Sequence, residues 1–198
     1  MATVLVVLAP GAEEIETMAV GDILVRAGQQ VTVASTVAAL TVTGSRGLPL
    51  AAHTTLDAAL ASPWDLVYLP GGVGSAQVCR EDARIQAMIG ARLAAHQRLA
   101  IICASVTALV PHGHGRGRTV TSYPGVRAQV EPHVGAWIDR AVVEDGALVT
   151  SQGPGTAIAL GLTLARLLAG APTAATVAAA MLVALVPESD RILAAETA

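Results

Sequence analysis

Lysine, phenylalanine and asparagine are absent from the 198 residues of this chain, and all twelve basic residues are arginines. Without lysine the chain can form no Schiff base, and it can supply neither a Walker-type phosphate-binding lysine nor a lysine general base. The arginines are scattered along the chain and the net charge is −3. A nucleic-acid-binding domain would carry a clustered basic surface, so we expect no sequence-specific nucleic-acid partner.

Cysteine is scarce, and the two present, Cys79 and Cys103, suit neither a disulfide framework nor a CxxC metal pair. Two reduced thiols favour a cytoplasmic protein. Cys79 lies in a polar stretch, which we interpret as a surface or interface position. His112 and His114 lie in residues 112–118, which we expect to form a solvated loop, and no further ligands at metal-binding spacing accompany them. No GxGxxG fingerprint with a downstream acidic residue follows the first strand. We therefore expect neither a metal nor a cofactor.

Residues 167–187 carry no charge over roughly a membrane-spanning length. They contain Gly170 and Pro172 and consist largely of alanine, which is only weakly hydrophobic. We interpret the segment as a helix buried against a sheet or a partner subunit, and we expect no membrane association. No basic segment precedes the first apolar run, so residues 1–9 are typical of a strand rather than of a signal peptide.

Apolar runs that suit buried strands alternate with segments of helical spacing. The predicted strands are residues 4–8, 31–35, 65–69, 99–102, 119–122, 140–144 and 147–150, with short strands joined by a turn within 40–51. The predicted helices are residues 13–27, 82–96, 104–110, 155–169 and 173–186. Such alternation implies a doubly wound, mostly parallel α/β sheet with helices on both faces. No linker or repeat divides residues 1–198, so we expect a single domain.

Three breaks in the pattern follow strands and so fall at one edge of the predicted sheet, where ligands collect in such folds. They are residues 10–16, residues 70–74 and Cys103. An apolar strand, then Cys103, then small residues that open a helix have the pattern of a nucleophile elbow. The helix N-terminus would lower the pKa of the thiol. The N–H of Ala104 and one from the Gly71–Gly72 turn would form an anion hole. The alternative is that Cys103 is a small buried apolar residue.

Acidic residues cluster where the first helix begins, at Glu13, Glu14 and Glu16. Favourable interaction with the helix dipole accounts for at least two of them. Glu16 is the one that could face Cys103, as a neutral hydrogen-bond donor or as a base. A second candidate anion site is the tight turn of residues 153–157, which leads into a helix N-terminus.

Five motifs in order along the chain resemble the ThiJ/PfpI superfamily, in its Parkinson-disease-protein deglycase and YajL branch. They are LAPGAEEIET (8–17), GSRG (44–47), DLVYLPGG (65–72), AIICASVTALVPH (100–112) and TSQGPGTAIALGL (150–162). The resemblance covers nearly the whole chain. It implies a flavodoxin-like fold with Cys103 as nucleophile.

The same resemblance implies a role for several further residues. Glu16 would be a protonated carboxyl beside the thiol, and the amides of Gly72 and Ala104 would form the anion hole. The family commonly forms homodimers through the first helix. The residues that the resemblance assigns to the pocket or the dimer interface are Glu13, Arg26, Arg46, Tyr123, Gly153 and Pro154.

Two positions differ from those of some members of the superfamily. Human-like members of the branch carry a histidine where this chain has Tyr123, so no Cys–His dyad is available there. A phenol is a poor base near neutral pH. Protease-like relatives carry a histidine directly after the cysteine, where this chain has Ala104, which argues against peptidase chemistry.

The activity that the resemblance implies is that of a glyoxalase or deglycase. The Cys103 thiolate would add to the aldehyde of methylglyoxal, of glyoxal or of an early glycation adduct on a protein, and Glu16 would move protons until a 2-hydroxy acid is released. A second hypothesis is a redox-sensing or holdase-type stress protein in which Cys103 is oxidised to the sulfinate. A third is cysteine-dependent hydration of a small substrate, as in the isonitrile hydratase relatives.

Overall fold

The computed structural model describes residues 1–183 and 191–193. Within this part, the strands are β1 (Thr3–Leu8), β2 (Gln30–Ser35), β3 (Thr41–Thr43), β4 (Pro49–Ala51), β5 (Thr54–Thr55), β6 (Leu66–Leu69), β7 (Arg98–Ile102), β8 (Thr119–Val120), β9 (Ala136–Trp137), β10 (Val142–Asp145), β11 (Leu148–Ser151) and β12 (Arg191–Leu193). The α-helices are α1 (Glu14–Arg26), α2 (Leu56–Ala59), α3 (Val73–Glu81), α4 (Ala83–Ala94), α5 (Arg127–Val130), α6 (Ala157–Ala169) and α7 (Ala171–Ala180).

Eight strands form one sheet in the order β12-β10-β11-β7-β6-β1-β2-β5. Every neighbouring pair in it is parallel except β10 and β11, which are antiparallel. Two small sheets are separate, an antiparallel one of β3 and β4 and a parallel one of β8 and β9. The predicted doubly wound, mostly parallel α/β sheet is confirmed. The predicted strand 119–122 is shorter and lies outside the main sheet.

The sheet is covered on both faces because successive residues of its central strands point to opposite sides. In β1, Val4 and Val6 belong to the same apolar cluster as residues of α1, α6 and α7, whereas Leu5 and Val7 belong to the cluster that contains residues of α2 and α4. Residues 4–8 are all fully buried. A continuous apolar run is therefore what this strand requires, and it is the signal from which the strand was predicted.

Two helices differ from the sequence prediction. Helix α3 was not predicted, because Gly74 and several polar residues interrupt its apolar spacing. It turns Cys79 into the core of the chain, where the side chain is fully buried, so the prediction of a surface or interface thiol is wrong. The segment after β7 is a 3-10 helix, Cys103–Leu109, which begins at the cysteine itself, in place of the predicted helix 104–110.

The uncharged segment 167–187 contains the end of α6 and all of α7, which are separated at Gly170. Ala174, Val177 and Ala178 of α7 are buried in the core on the α1 side of the sheet. Within residues 1–183 and 191–193, no helix is long and apolar enough to cross a membrane. The predicted helix 173–186 begins earlier and ends at Ala180, and its residues 184–186 lie outside the described residues. The single-domain organisation of residues 1–198 stays a prediction.

Candidate active site

The ends of three adjacent parallel strands bring the candidate residues together. Strands β7, β6 and β1 are neighbours, so their carboxyl ends lie at one edge of the sheet. Cys103 follows β7, the Gly71–Gly72 turn follows β6, and Glu16 lies in the first turn of the helix that follows β1. Residues that are more than thirty positions apart in sequence therefore meet at this edge.

Cys103 occupies a left-handed backbone conformation, with a φ of 63°. For a residue with a side chain, such a conformation costs about 1–3 kcal/mol and persists only where its surroundings hold it. The Cys103 carbonyl accepts a hydrogen bond of 3.3 Å from the backbone N–H of Tyr123. The Ser105 hydroxyl donates one of 2.7 Å to the carbonyl of Pro70, which fixes the start of the 3-10 helix against the turn after β6. The geometry is that of a nucleophile elbow.

The carboxyl of Glu16 is completely buried beside this elbow. Its Oε2 accepts a hydrogen bond of 2.8 Å from the backbone N–H of Gly71. Its Oε1 has no hydrogen-bond partner among the described residues, and the ionisable side chain that most affects the pKa of the carboxyl is the Cys103 thiol. Gly71 is obligatory here, because a Cβ at this position would lie 2.5 Å from the Cβ of Cys103.

Two further groups hold the backbone of Glu16 in place. The Glu13 carboxylate caps α1 and accepts a hydrogen bond of 2.8 Å from the Glu16 N–H. The buried hydroxyl of Tyr68 donates one of 3.0 Å to the Glu16 carbonyl. Glu16 therefore reaches the thiol from a rigid helix terminus.

Burial controls the ionisation of both groups. Burial raises the pKa of Glu16 to about 7, and the charge of Glu13 adds to this, although the hydrogen bonds from Cys103 and Gly71 act in the opposite direction. Burial, followed by the neighbouring Glu16 carboxylate, raises the pKa of the Cys103 thiol to about 12. The backbone N–H groups of Ala104 and Gly72 lower it. The anion hole formed by these two groups stays a prediction.

The predicted lowering of the thiol pKa is therefore wrong. The prediction counted the N-terminus of the helix that follows Cys103, and that helix is a 3-10 helix of seven residues. Its N–H groups do favour the thiolate, but loss of water around the sulfur and the charge of Glu16 outweigh them.

A cavity of about 570 Å³ opens over the thiol, which is a volume suited to a small substrate. Glu16 lies beneath this cavity. Gly153 lies close to both groups, since a Cβ on Gly153 would be 3.9 Å from the Cys103 Sγ and 3.9 Å from the Glu16 Oε1. The lining residues are Gly11, Glu13, Gly44, Ser45, Arg46, Gly72, Val73, Gly74, Cys103, Ala104, Tyr123 and Pro154.

Arg26 and Glu14 make contacts that differ from those predicted from the sequence. Arg26 does not line the cavity, because it lies at the exposed C-terminal end of α1, where it pairs with Asp22 at 2.7 Å. Glu14 was assigned only to the helix dipole, but its carboxylate also contacts the turn between β3 and β4. That contact was not predictable from the sequence, since more than thirty residues separate the groups. The sequence predicted a turn within residues 40–51 but not what it contacts.

None of the described residues that line the cavity is a histidine. His114 packs its half-buried ring against Gly90 of α4, so residues 112–118 are only in part the solvated loop that was predicted. Among residues 1–183 and 191–193, no three His, Cys, Asp or Glu side chains are grouped so that they could hold a metal ion.

Comparison with known proteins gives consistent similarities. The model of the DJ-1/PfpI family matches residues 2–167. The chain is 38% identical to protein dj-1beta of Drosophila melanogaster over 180 residues, which is 91% of this chain and 96% of that protein. The crystal structure of that fly protein superposes with a TM-score of 0.89 and covers 92% of this chain and 98% of its own.

Two other relatives bear on chemistry. A protein of Caenorhabditis elegans named glutathione-independent glyoxalase DJR-1.2 is 30% identical over 167 residues, which is 84% of this chain and 88% of that protein. The structure of an oxidised DJ-1 from Toxoplasma gondii is 34% identical, has a TM-score of 0.87 and covers 93% of this chain and all of its own.

The raised pKa of Glu16 predicts how stability depends on pH. Between the ordinary value of 4.5 and about 7, the folded protein keeps a proton that the unfolded chain has lost. The contribution of Glu16 to the free energy of unfolding is therefore fully present below 4.5 and falls as the pH rises, by on the order of 3 kcal/mol in total. Glu16→Gln removes this dependence, so the difference in stability between wild type and Glu16→Gln shrinks with rising pH.

Urea unfolding between about pH 4 and about pH 8 measures this difference. Glu131→Gln is the matched control, because the exposed Glu131 has its pKa lowered by Arg127 and so cannot produce a loss of stability with rising pH. A difference between wild type and Glu16→Gln that does not vary with pH contradicts the assignment.

Proposed function

Because this chain belongs to the DJ-1/PfpI family, we propose that it is a cysteine-dependent enzyme that converts methylglyoxal, glyoxal and early glycation adducts into 2-hydroxy acids. The observation that carries this proposal is the buried Glu16 carboxyl beside the Cys103 thiol, under a cavity that admits a small aldehyde. The relative named a glutathione-independent glyoxalase supports the same class of reaction.

Addition of the thiol to the aldehyde is the first step, and Glu16 is its general base. A carboxyl with a pKa of about 7 is ionised in about half of the molecules at neutral pH, whereas a thiol with a pKa of about 12 is not. Glu16 takes the thiol proton as the sulfur bonds to the aldehyde carbon. The carbonyl oxygen gains the electron pair and accepts hydrogen bonds from the N–H groups of Gly72 and Ala104. Return of the proton to this oxygen gives a hemithioacetal.

The hemithioacetal rearranges without an external oxidant. Glu16 removes the proton from the carbon that carries the sulfur and returns it to the neighbouring carbonyl carbon, while the hydroxyl proton of the hemithioacetal moves to the oxygen of that neighbouring carbon. The result is the thioester of a 2-hydroxy acid. Water then breaks the carbon–sulfur bond, and the thiol regains its proton. In sum, one 2-oxoaldehyde and one water give one 2-hydroxy acid, and one carboxyl that alternates between base and acid suffices.

Tyr123 forms part of the wall of this cavity and takes no part in proton transfer. Its ring is half exposed and lies 3.8 Å from where a Cβ on Gly153 would be. Because a phenol is a poor base near neutral pH, all proton transfers fall to Glu16. We therefore expect slower turnover than in an enzyme that has a histidine at this position.

A redox sensor is the second candidate function. The sulfur is approached by the N–H groups of Gly72 and Ala104 and by Glu16, which are groups that would hydrogen-bond the oxygens of a sulfinate. The similar Toxoplasma gondii structure is of an oxidised protein. Peroxide would oxidise the thiol in two steps, each of which consumes one peroxide and releases one water. The raised thiol pKa makes these steps slow, because the thiolate is the reactive form.

The partner that we propose is a second copy of the chain, bound through α1. Ile15, Met18 and Val25 lie on this helix with more than half of each side chain exposed. Large apolar side chains grouped on one helix face are typical of a surface that another protein covers. The homodimers that are common in the family support this proposal.

The catalytic proposal predicts the behaviour of three variants. Cys103→Ser should make no lactate from methylglyoxal above the uncatalysed rate, because the hydroxyl is a far weaker nucleophile. Glu16→Gln should lose on the order of 10²-fold or more in kcat, because it lacks the base. Cys79→Ala is the matched control and should keep its activity, since Cys79 is buried on the other face of the sheet.

Lactate release at saturating methylglyoxal is the measurement. Wild type that makes no more lactate than Cys103→Ser overturns the enzymatic proposal. Mass spectrometry after mild peroxide then tests the sensor, which is rejected if Cys103 stays unmodified.

The dimer proposal predicts that Met18→Glu is monomeric. A charge on this face would be buried without a partner in the dimer, and that is costly. Light scattering after size exclusion should give twice the chain mass of 19.9 kDa for wild type and the single chain mass for the variant. Leu60→Glu is the control, because Leu60 is exposed next to α2 on the opposite face of the sheet. A monomeric wild type, or equal masses for Met18→Glu and wild type, contradicts the proposal.

A further inference from the structure

The turn between β3 and β4 forms one wall of the cavity over Cys103. Three of its residues, Gly44, Ser45 and Arg46, line that cavity. Its backbone is attached to the loop after β1, since the Ser45 N–H donates a hydrogen bond of 2.8 Å to the carbonyl of Ala12. Strands β3 and β4 form a sheet of only two strands, so the main sheet does not fix the position of this wall.

The carboxylate of Glu14 binds the turn directly. It accepts hydrogen bonds of 2.7 Å from the backbone N–H of Arg46, 3.0 Å from the hydroxyl of Ser45 and 3.4 Å from the N–H of Leu48. Gly44 is needed for this contact, because a Cβ on it would overlap the Glu14 carboxylate. Burial raises the pKa of Glu14, but these hydrogen bonds outweigh it and the net pKa is lowered, so the group is ionised at neutral pH.

Arg46 depends most on this arrangement. The structure gives its guanidinium no hydrogen bond or ion pair with any described residue, and its side chain is exposed at the rim of the cavity. Its backbone N–H to Glu14 is therefore the contact that fixes where the residue lies. Without the carboxylate, the exposed amides of Arg46 and Leu48 would bind water, and the Arg46–Leu48 part of the wall would be held less firmly. The backbone bonds from Ser45 to Ala12 and from Gly11 to Thr43 would still tie the turn to the loop after β1.

We propose that Glu14 is a positioning residue, which holds the Gly44–Leu48 turn as a wall of the cavity and thereby sets how tightly substrate binds beside Cys103. This inference rests on the proposed function. It differs from a role in the helix dipole alone, which any acidic residue in the first turn of α1 would serve. Glu14 reaches neither the thiol nor Glu16 by a hydrogen bond, so its effect falls on binding rather than on the chemical step.

Amide hydrogen exchange tests the structural half of the proposal. In Glu14→Ala, the N–H groups of Arg46 and Leu48 should exchange roughly tenfold faster or more than in wild type. Glu14→Gln should restore part of the protection, because its amide oxygen still accepts from both N–H groups. Asp57→Ala is the matched control, since Asp57 also lies in the first turn of a helix but pairs with Arg84. Unchanged exchange at Arg46 and Leu48 in Glu14→Ala overturns the inference.

Kinetics test the functional half. Glu14→Ala should raise KM for methylglyoxal roughly tenfold and leave kcat within about twofold, and Glu14→Gln should lie between it and wild type. The rate at which iodoacetamide alkylates Cys103 should also change in Glu14→Ala and not in Asp57→Ala. Faster exchange in Glu14→Ala with KM and alkylation rate unchanged overturns the link to the site.

The two proposals fail in different ways. If wild type lacks glyoxalase activity, the proposed function fails, and exchange and alkylation still decide whether Glu14 holds the cavity wall. If wild type is active and Glu14→Ala lowers kcat with KM unchanged, Glu14 acts on the chemical step and the positioning role is rejected.

Discussion

Two ionisable groups buried against each other constrain the rest of this site. Glu16 has no access to water and Cys103 has little, so each charge state depends on the other and on a few backbone N–H groups. Neighbouring residues hold Glu16 in place beside Cys103. Gly71 leaves room for the Glu16 carboxyl and donates a hydrogen bond to it, and the Glu13 carboxylate and the Tyr68 hydroxyl bind the Glu16 backbone.

The burial of Cys103 and Glu16 shifts their pKa values, and these values bear on which of the two candidate functions of Cys103 the site suits. A thiolate at rest suits a redox sensor, whereas a thiol beside a base with a pKa near 7 suits a reaction that begins with proton transfer. The pKa of about 12 for Cys103 and about 7 for Glu16 corresponds to the second case. A strained elbow with a φ of 63° then presents the sulfur to the cavity without the help of a histidine.

The sequence was most informative where one local signal determines the structure. Apolar runs ended by Pro–Gly at two strands and by Cys103 at the third located the central strands, and their parallel order placed the strand ends at one edge. Helix α3 and the burial of Cys79 were missed because tertiary packing, rather than apolar spacing, decides them. The thiol pKa was predicted in the wrong direction because desolvation cannot be read from one strand and one helix. The contact of Glu14 with the Gly44–Leu48 turn was also missed, since it joins distant segments.

Infrared spectroscopy of the Glu16–Cys103 pair across pH tests the central claim most directly. The carbonyl band of a protonated carboxyl should be lost with a midpoint near pH 7 while the S–H band persists, and Glu16→Gln and Cys103→Ser assign the two bands. This is the result expected if Glu16 is the base and Cys103 rests as a thiol. An S–H band lost at or below neutral pH, with a carboxyl that stays protonated above it, would show a resting thiolate and contradict the account.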